Sequence, residues 1–289
     1  MKITGFTFIR NALIYDYPVV EAIRSILPIC DDFVVAVGKS DDETLKLIAE
    51  IDPSKIRIIE TVWDDSLREG GRVLALETDK AYKEISEDTD WAFYIQGDEV
   101  VHEKYLERIK NEMMLWKDHP EVEGLLFDYL HFYGSYDFVG SSGKWYPNEI
   151  RVIRRNNSIY SYRDAQGFRT DENRKLNVKK IDACIYHYGW VKEPSAMQRK
   201  QENFNKLWHP DSWVEKNVIK ADTFDYSGID ALELFKGTHP EVMLDRIGKK
   251  NWKFDFDISF NNLSIKDKLK KTLRKYAGIE LGYRNYRKV

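Results

Sequence analysis

The sequence predicts an α/β protein: a mostly parallel sheet with helices on both faces, followed by a helical C-terminal extension. Three observations predict it. Apolar runs of strand length alternate with stretches of helical periodicity through the first third of the chain, the signature of parallel strands joined by crossover helices. The run Trp91-Ala92-Phe93-Tyr94-Ile95 has no polar face, as expected of a central strand covered on both sides. That run stops at Gln96-Gly97-Asp98-Glu99, which sets two adjacent carboxylates at the end of a strand where open α/β sheets bind ligands.

Taken in order, Ile3 to Ile9 reads as the first strand and ends at Arg10-Asn11. Asp16 before Tyr17-Pro18 suits a helix N-cap with an early proline, and Val19, Ile23, Ile26 and Leu27 follow with helical spacing until Pro28. Phe33 to Val37 is a second buried strand closed by Gly38. Ser40 and Glu43 form a capping box for a helix through Ile51. Ile56 to Val62 is the third strand, Gly70-Gly71 precedes a helix over Arg72 to Ile85, and the strand carrying Gln96 to Glu99 is the fourth. Four strands with three crossovers make a nucleotide-binding half in the doubly wound style. His102 to Trp116 reads as a helix, Gly124 to Tyr133 as a strand, Glu149 to Arg155 and Ser158 to Arg163 as a strand pair turning at Asn156-Asn157, and Ala183 to Tyr188 as a further strand. From Pro194 onward the pattern is mostly helical.

Composition narrows the function. With 45 basic and 48 acidic residues the formal charge is −3, which implies no general attraction to nucleic acid. At 43% hydrophobic and 13% aromatic the 289 residues can bury a sizeable core. Cys30 and Cys184 lie far apart and match no metal-ligand spacing, so they read as free thiols in a reducing, cytoplasmic setting. The N-terminal Met1 to Phe6 reads as a strand rather than a signal peptide, and no apolar stretch approaches membrane-spanning length.

Chemistry-bearing residues cluster at strand ends. Asp98 and Glu99 suit a helix start, since acidic side chains favour helix N-termini, and equally suit a divalent ion carrying a phosphorylated ligand. Asp41 and Asp42 follow the second strand. His187 closes the last strand before Gly189-Trp190 and reads either as an ordinary strand histidine or as a ligand. Arg10, Arg68 and Arg72 are surface charges or phosphate contacts. Trp145, Tyr146, Phe168 and Trp190 are core or an acceptor-lining aromatic set.

With Phe8-Ile9-Arg10-Asn11, Asp41-Asp42 after the second strand and Gln96-x-Asp98-Glu99 in place of an Asp-x-Asp motif, the chain resembles family 2-type glycosyltransferases of the GT-A fold, with their Rossmann-like sheet. The resemblance covers residues 1–190, strongest before 105. It departs at Gln96, where the family has an aspartate, and in lacking the family's Glu-Asp pair near the acceptor. It implies a catalytic domain over 1–190, with a nucleotide-sugar half (1–100) and an acceptor-side half (101–190), and an extension over 191–289 packed on it. It implies inverting transfer from a UDP- or GDP-linked sugar to a glycan or lipid-linked acceptor, dependent on Mn²⁺ or Mg²⁺. Donor contacts are then expected from Phe8, Arg10, Asn11, Gly38, Asp42, Arg72, Gln96 and Asp98, with Asp98 and His187 holding the metal. An inverting transfer needs a base, and Asp164, in the turn Asp164-Ala165-Gln166-Gly167, is the first choice over Glu149 and Asp182.

Two other functions remain open at this point. A sugar nucleotidyltransferase normally carries a glycine-rich, lysine-bearing loop near its start, and Phe6 to Leu13 offers none. A non-catalytic carbohydrate- or nucleotide-binding protein would account for the aromatics but not for the acidic strand ends. Ser264 to Val289 holds nine Lys/Arg against Asp267 and Glu280, a net of +7, with Leu263, Leu269, Leu273 and Tyr276 as a partial apolar stripe. It reads as a solvated basic helix or as a contact with anionic membrane.

Overall fold

The computed structural model describes residues 1–67, 70–218, 220–260, 262–264, 267–269, 272 and 284–289. Strand β1 (Ile3–Ile9) leads into α1 (Val19–Ile26), β2 (Asp32–Gly38), α2 (Thr44–Ala49), β3 (Ile56–Thr61), α3 (Arg72–Lys83) and β4 (Trp91–Tyr94). The four strands are parallel and lie in the order β3-β2-β1-β4. Alternation along β2 decides which helix covers which face. Phe33, Val35 and Val37 pack with Val19, Ala22, Ile23 and Ile26 of α1, while Val34 and Ala36 pack with Val73, Ala81 and Tyr82 of α3.

The second half adds β5 (Glu99–Val101), α4 (Leu106–Trp116), β6 (Gly124–Tyr133), β7 (Ser135–Gly140), β8 (Asn148–Arg154), β9 (Tyr160–Tyr162), β10 (Gly167–Thr170), β11 (Arg174–Lys175) and β12 (Asn177–Trp190). Helices α5 (Pro194–Lys206) and α6 (Asp211–Asn217), strand β13 (Leu232–Leu234), helix α7 (Leu244–Gly248) and strand β14 (Arg287–Lys288) follow. Strand β8 enters antiparallel beside β4, and β6 beside β8; the sheet runs on through β7 to β13. Strand β12 lies along the other side of β6, parallel to it, and takes β5 antiparallel and β14 parallel on its far edge. This is the GT-A arrangement, in which a parallel half is extended by a mixed second half.

Several local expectations are corrected. β8 and β9 do not pair with each other: β8 lies between β4 and β6, while β9 joins β10 and β11 in a separate three-stranded sheet. Helix α3 holds the intervening segment. The Tyr82 hydroxyl donates to the Arg154 carbonyl (2.8 Å) and accepts from the Asn156 amide (2.9 Å), and Asp79 accepts from the Ser161 amide (2.7 Å). Asp98 and Glu99 do not begin a helix, because Glu99 opens β5 and α4 starts only at Leu106. The capping box does not form; the amide of Thr44 donates to Asp42 Oδ1 instead (3.0 Å). Asp16 does not cap α1: it sits in the left-handed region (φ 49°) and pairs with Arg246 (2.5 Å).

Arg68 and most of the basic segment 264–289, including Leu273 and Tyr276, lie outside the described residues. Among the described residues no helix is long and apolar enough to cross a membrane. Cys30 and Cys184 are both free thiols.

Candidate active site

The β5–β12 ladder brings together residues 89 positions apart. Glu99 and His187 are register partners, and the Tyr188 amide donates to the Asp98 carbonyl (2.8 Å). The side chains of Asp98 and His187 therefore both face a cavity of about 380 Å³ at the carboxyl ends of β1 and β4. Asp98 Oδ1 stands 3.7 Å from His187 Nε2. Glu99 points the other way, fully buried, where Arg151 Nε and Nη2 each donate to it at 2.7 Å and the Tyr129 hydroxyl donates at 2.8 Å. It braces the floor of the site and is not free to act as a ligand.

The protonation of His187 can be followed through its neighbours. A carbonyl only accepts, so His131 Nε2 donates to the Tyr146 carbonyl (2.8 Å). With both rings neutral, His131 Nδ1 then accepts from His187 Nδ1 (3.1 Å), which leaves a bare lone pair on His187 Nε2. Burial pushes the His187 pKa down, against the pull of Asp98, and so favours the neutral ring. Burial works against the Asp98 charge too, but the Lys200 ammonium, with Lys192 farther off, outweighs it and holds the carboxyl well below the usual range. A carboxylate oxygen and an imidazole lone pair thus face each other with no proton between them, an arrangement that a cation satisfies.

The space beside them is kept open by Gly189. A Cβ there would fall 2.7 Å from Asp98 Oδ2 and 2.7 Å from His187 Nε2. The donor set therefore fits a divalent ion held partly by the protein. Among the described residues no group of three or more His, Cys, Asp or Glu side chains could hold a metal, so the remaining ligands would have to come from a bound phosphate.

Of the other expected site residues, Phe8, Arg10, Gln96 and Asp164 line the cavity, as do Tyr146 and Trp190. Arg10 lies with its guanidinium 4.4 Å over the Trp63 ring and its Nη1 3.0 Å from Asp65. Gln96 Nε2 donates to the Ala165 carbonyl (3.1 Å), a bond that the carboxylate of an aspartate could not make. It ties the end of β4 to the turn carrying Asp164, whose flanking residues Arg163 (φ 58°) and Ala165 (φ 63°) are both left-handed. Backbone held in this region concentrates at functional sites. Burial raises the Asp164 pKa, opposed by its own amide and that of Gln166. Gly71, at φ 70°, admits this turn, because a Cβ there would lie 2.8 Å from Asp164 Cβ.

The structure places the remaining expected residues outside the lining of this cavity. Asp42 does not line the cavity: its Oδ2 accepts from the amides of Leu13 (3.0 Å) and Ile14 (2.9 Å), and its Oδ1 caps α2. Asn11, left-handed at φ 54°, exchanges hydrogen bonds with Asp41 and so clasps the ends of β1 and β2. Gly38 makes room for Trp63, whose Nε1 would lie 2.4 Å from a Cβ at that position. Arg72 is exposed at the start of α3, outside the cavity lining. Glu149 is buried behind Gln166, which donates to it at 2.8 Å, and burial pushes its pKa up to about 8. Asp182 pairs at the surface with Arg108 (2.6 Å), and Phe168 is fully buried core.

Sequence reasoning missed Trp63, Gln166 and above all Lys200, all of which line the cavity. Lys200 Nζ donates to Asp98 Oδ2 (3.1 Å) and to the Gly189 carbonyl (2.9 Å). Nothing in a polar helix marks one lysine among many; only the tertiary position of α5 does.

The fold is of the GT-A type. Among solved structures, TarS of S. aureus, residues 1–349 with UDP-GlcNAc, is similar at TM-score 0.41 and 14% identity over 77% of this chain and 68% of that one. This chain covers 39% of the longer TarS structure. The 4-diphosphocytidyl-2C-methyl-D-erythritol synthase of Anaerococcus prevotii is similar at TM-score 0.38 and 13% identity, over 66% and 89% of the two chains. Glucosyl-3-phosphoglycerate synthase of Mycobacterium tuberculosis, bound to Mn²⁺, UDP and glucosyl-3-phosphoglycerate, is similar at TM-score 0.30 and 16% identity, over 46% and 45%. These likenesses concern the fold, and no residue role on this chain follows from them. No protein-family model and no curated protein matches the sequence.

Proposed function

We propose that this chain is an inverting glycosyltransferase that moves a sugar from a nucleoside-diphosphate donor to a glycan or lipid-linked acceptor with the help of Mn²⁺ or Mg²⁺. The observation that carries the reading is the unprotonated pair Asp98 Oδ1 and His187 Nε2, 3.7 Å apart in a cavity at the strand ends. A divalent ion held by that pair would neutralise the charge that builds on the leaving diphosphate. Phe8 and Trp63 offer flat faces for the nucleobase, with Arg10 between them and the phosphates. Tyr146 and Trp190 offer aromatic faces to the acceptor sugar.

Asp164 is the base. It lines the cavity and burial lifts its carboxyl toward the range in which it can take the proton of an attacking hydroxyl. Glu149 is less suited, because it sits behind Gln166 and holds its own proton up to about pH 8. Gln96 keeps the Asp164 turn in register with the donor side through its bond to Ala165.

Thermal shift measurements with UDP and GDP, with and without Mn²⁺, test the reading. Stabilisation by a nucleoside diphosphate should depend on Mn²⁺, vanish in Asp98→Ala and weaken in His187→Ala. Asp164→Asn should keep that stabilisation and lose turnover by about 10²-fold or more, the usual loss for a general base. Stabilisation by free glycans alone, with no response to either nucleotide, would make this a binding module.

A further inference from the structure

Lys200 occupies the ground on which a metal would compete. Its ammonium donates to Asp98 Oδ2 at 3.1 Å and to the Gly189 carbonyl at 2.9 Å, and it lies 4.9 Å over the Tyr17 ring. Lys192, fully buried, lies 4.6 Å over the same Tyr17 ring and donates to the Asp16 carbonyl. Among the described residues Asp98 is the one carboxylate that Lys200 pairs with. A divalent ion arriving alone would therefore meet a carboxylate already paired with the Lys200 ammonium, with a neutral imidazole as the second ligand. A diphosphate reverses that balance, since its oxygens can take up both the ion and the ammonium.

We propose that Lys200 is an internal counter-cation that makes metal binding conditional on the donor. Without a nucleotide, Lys200 neutralises Asp98 and keeps a divalent ion out. When the diphosphate enters, Lys200 moves onto its phosphate oxygens and releases Asp98 to the metal. Metal and nucleotide then bind with positive coupling, and by linkage each strengthens the other equally. The inference rests on the reading of Asp98 and His187 as the metal pair. It adds a phosphate-binding and gating residue from α5, outside the motifs of the first half.

The test is Mn²⁺ binding to the full chain, followed by the loss of the free-ion electron paramagnetic resonance signal, with and without UDP or GDP. Wild-type protein should bind Mn²⁺ weakly alone and at least about tenfold more tightly with one of the nucleotides, within the usual span of such coupling. Lys200→Met should bind Mn²⁺ alone about tenfold more tightly than wild type, while the gain from nucleotide shrinks by a similar factor. Lys200→Arg, which keeps the charge, should behave like wild type, and Lys200→Gln serves if the methionine variant fails to fold. If wild type shows nucleotide-dependent Mn²⁺ binding and neither neutral variant binds Mn²⁺ more tightly alone, the gating role is wrong and the metal pair stands. If wild type takes up no Mn²⁺ with either nucleotide, the metal pair falls and the gating role with it.

Discussion

Glu149 shows how far one buried group can bias the molecule. Burial first, then the charges of Glu99 and Asp164, raise its pKa to about 8, while Arg151 and the bond from Gln166 pull the other way. Because the folded state holds this proton more tightly than the unfolded chain, Glu149 favours folding least at high pH. Between about pH 4.5, the ordinary value, and pH 8 the wild type should lose stability at up to roughly 1.4 kcal/mol per pH unit from this group alone. Glu149→Gln should remove that slope, gaining on wild type as pH rises through this window and not below it. Urea titrations at several pH values would read the difference, and parallel curves for the two proteins would refute it. At this scale the sequence discloses unevenly. Asp98 is legible because an apolar strand ends on it, and His187 because it closes another strand. The aspartate of a helix-start cluster, Asp42, looks the same whether it meets a ligand or caps backbone amides, and only the fold shows that it caps. Lys200 has no sequence signal at all, since its meaning comes from a carboxylate 102 positions away.

Among the elements, β5 is short but decisive. Three residues, Glu99 to Val101, pair with β12 and set Asp98 against His187, while the Glu99 side chain is pinned beneath by Arg151 at 0% exposure on both partners. Breaking such a pair from one side strands a charge in the interior. Arg151→Met should therefore cost about 3–5 kcal/mol in chemical unfolding, and adding Glu99→Gln should recover most of that loss. A double variant no better than the single one would mean that packing, not charge, sets the cost. The parallel half is readable from periodicity because β1, β2 and β4 are buried on both faces and each helix shows one apolar side: β1, β2, β3 and β4 fall where the patterns place them. The second half is less readable. Asn156-Asn157 looks like a hairpin turn, yet contacts from Tyr82 and Asp79 of α3 redirect the chain, and local sequence carries no trace of a partner 70 or more residues away.

For the whole molecule, residues 284–289 matter more than their position in the chain suggests. Tyr286 is buried, the Asn285 carbonyl accepts from Arg169 Nη1 (2.6 Å), and the amides of Arg287 and Val289 bond to β12 and the residue before it. Deleting 284–289 should lower the thermal midpoint by about 5 °C or more, since it removes one buried aromatic and several internal hydrogen bonds. An unchanged midpoint would show that the sheet is complete without β14.

The cavity carries a consequence for how this protein is made. Its walls come from residues as far apart as Phe8 and Leu207, supplied by β1, β12, α3, α5 and the loops between them. Contacts so distant in sequence form late, because loop closure must be completed before they return any stabilisation. A nascent chain that has emerged only through β4 has its parallel strands but no cavity, for β12 and α5 are still to come. A ligand of this cavity therefore cannot guide the early steps of folding; it can only hold the finished fold in place by mass action.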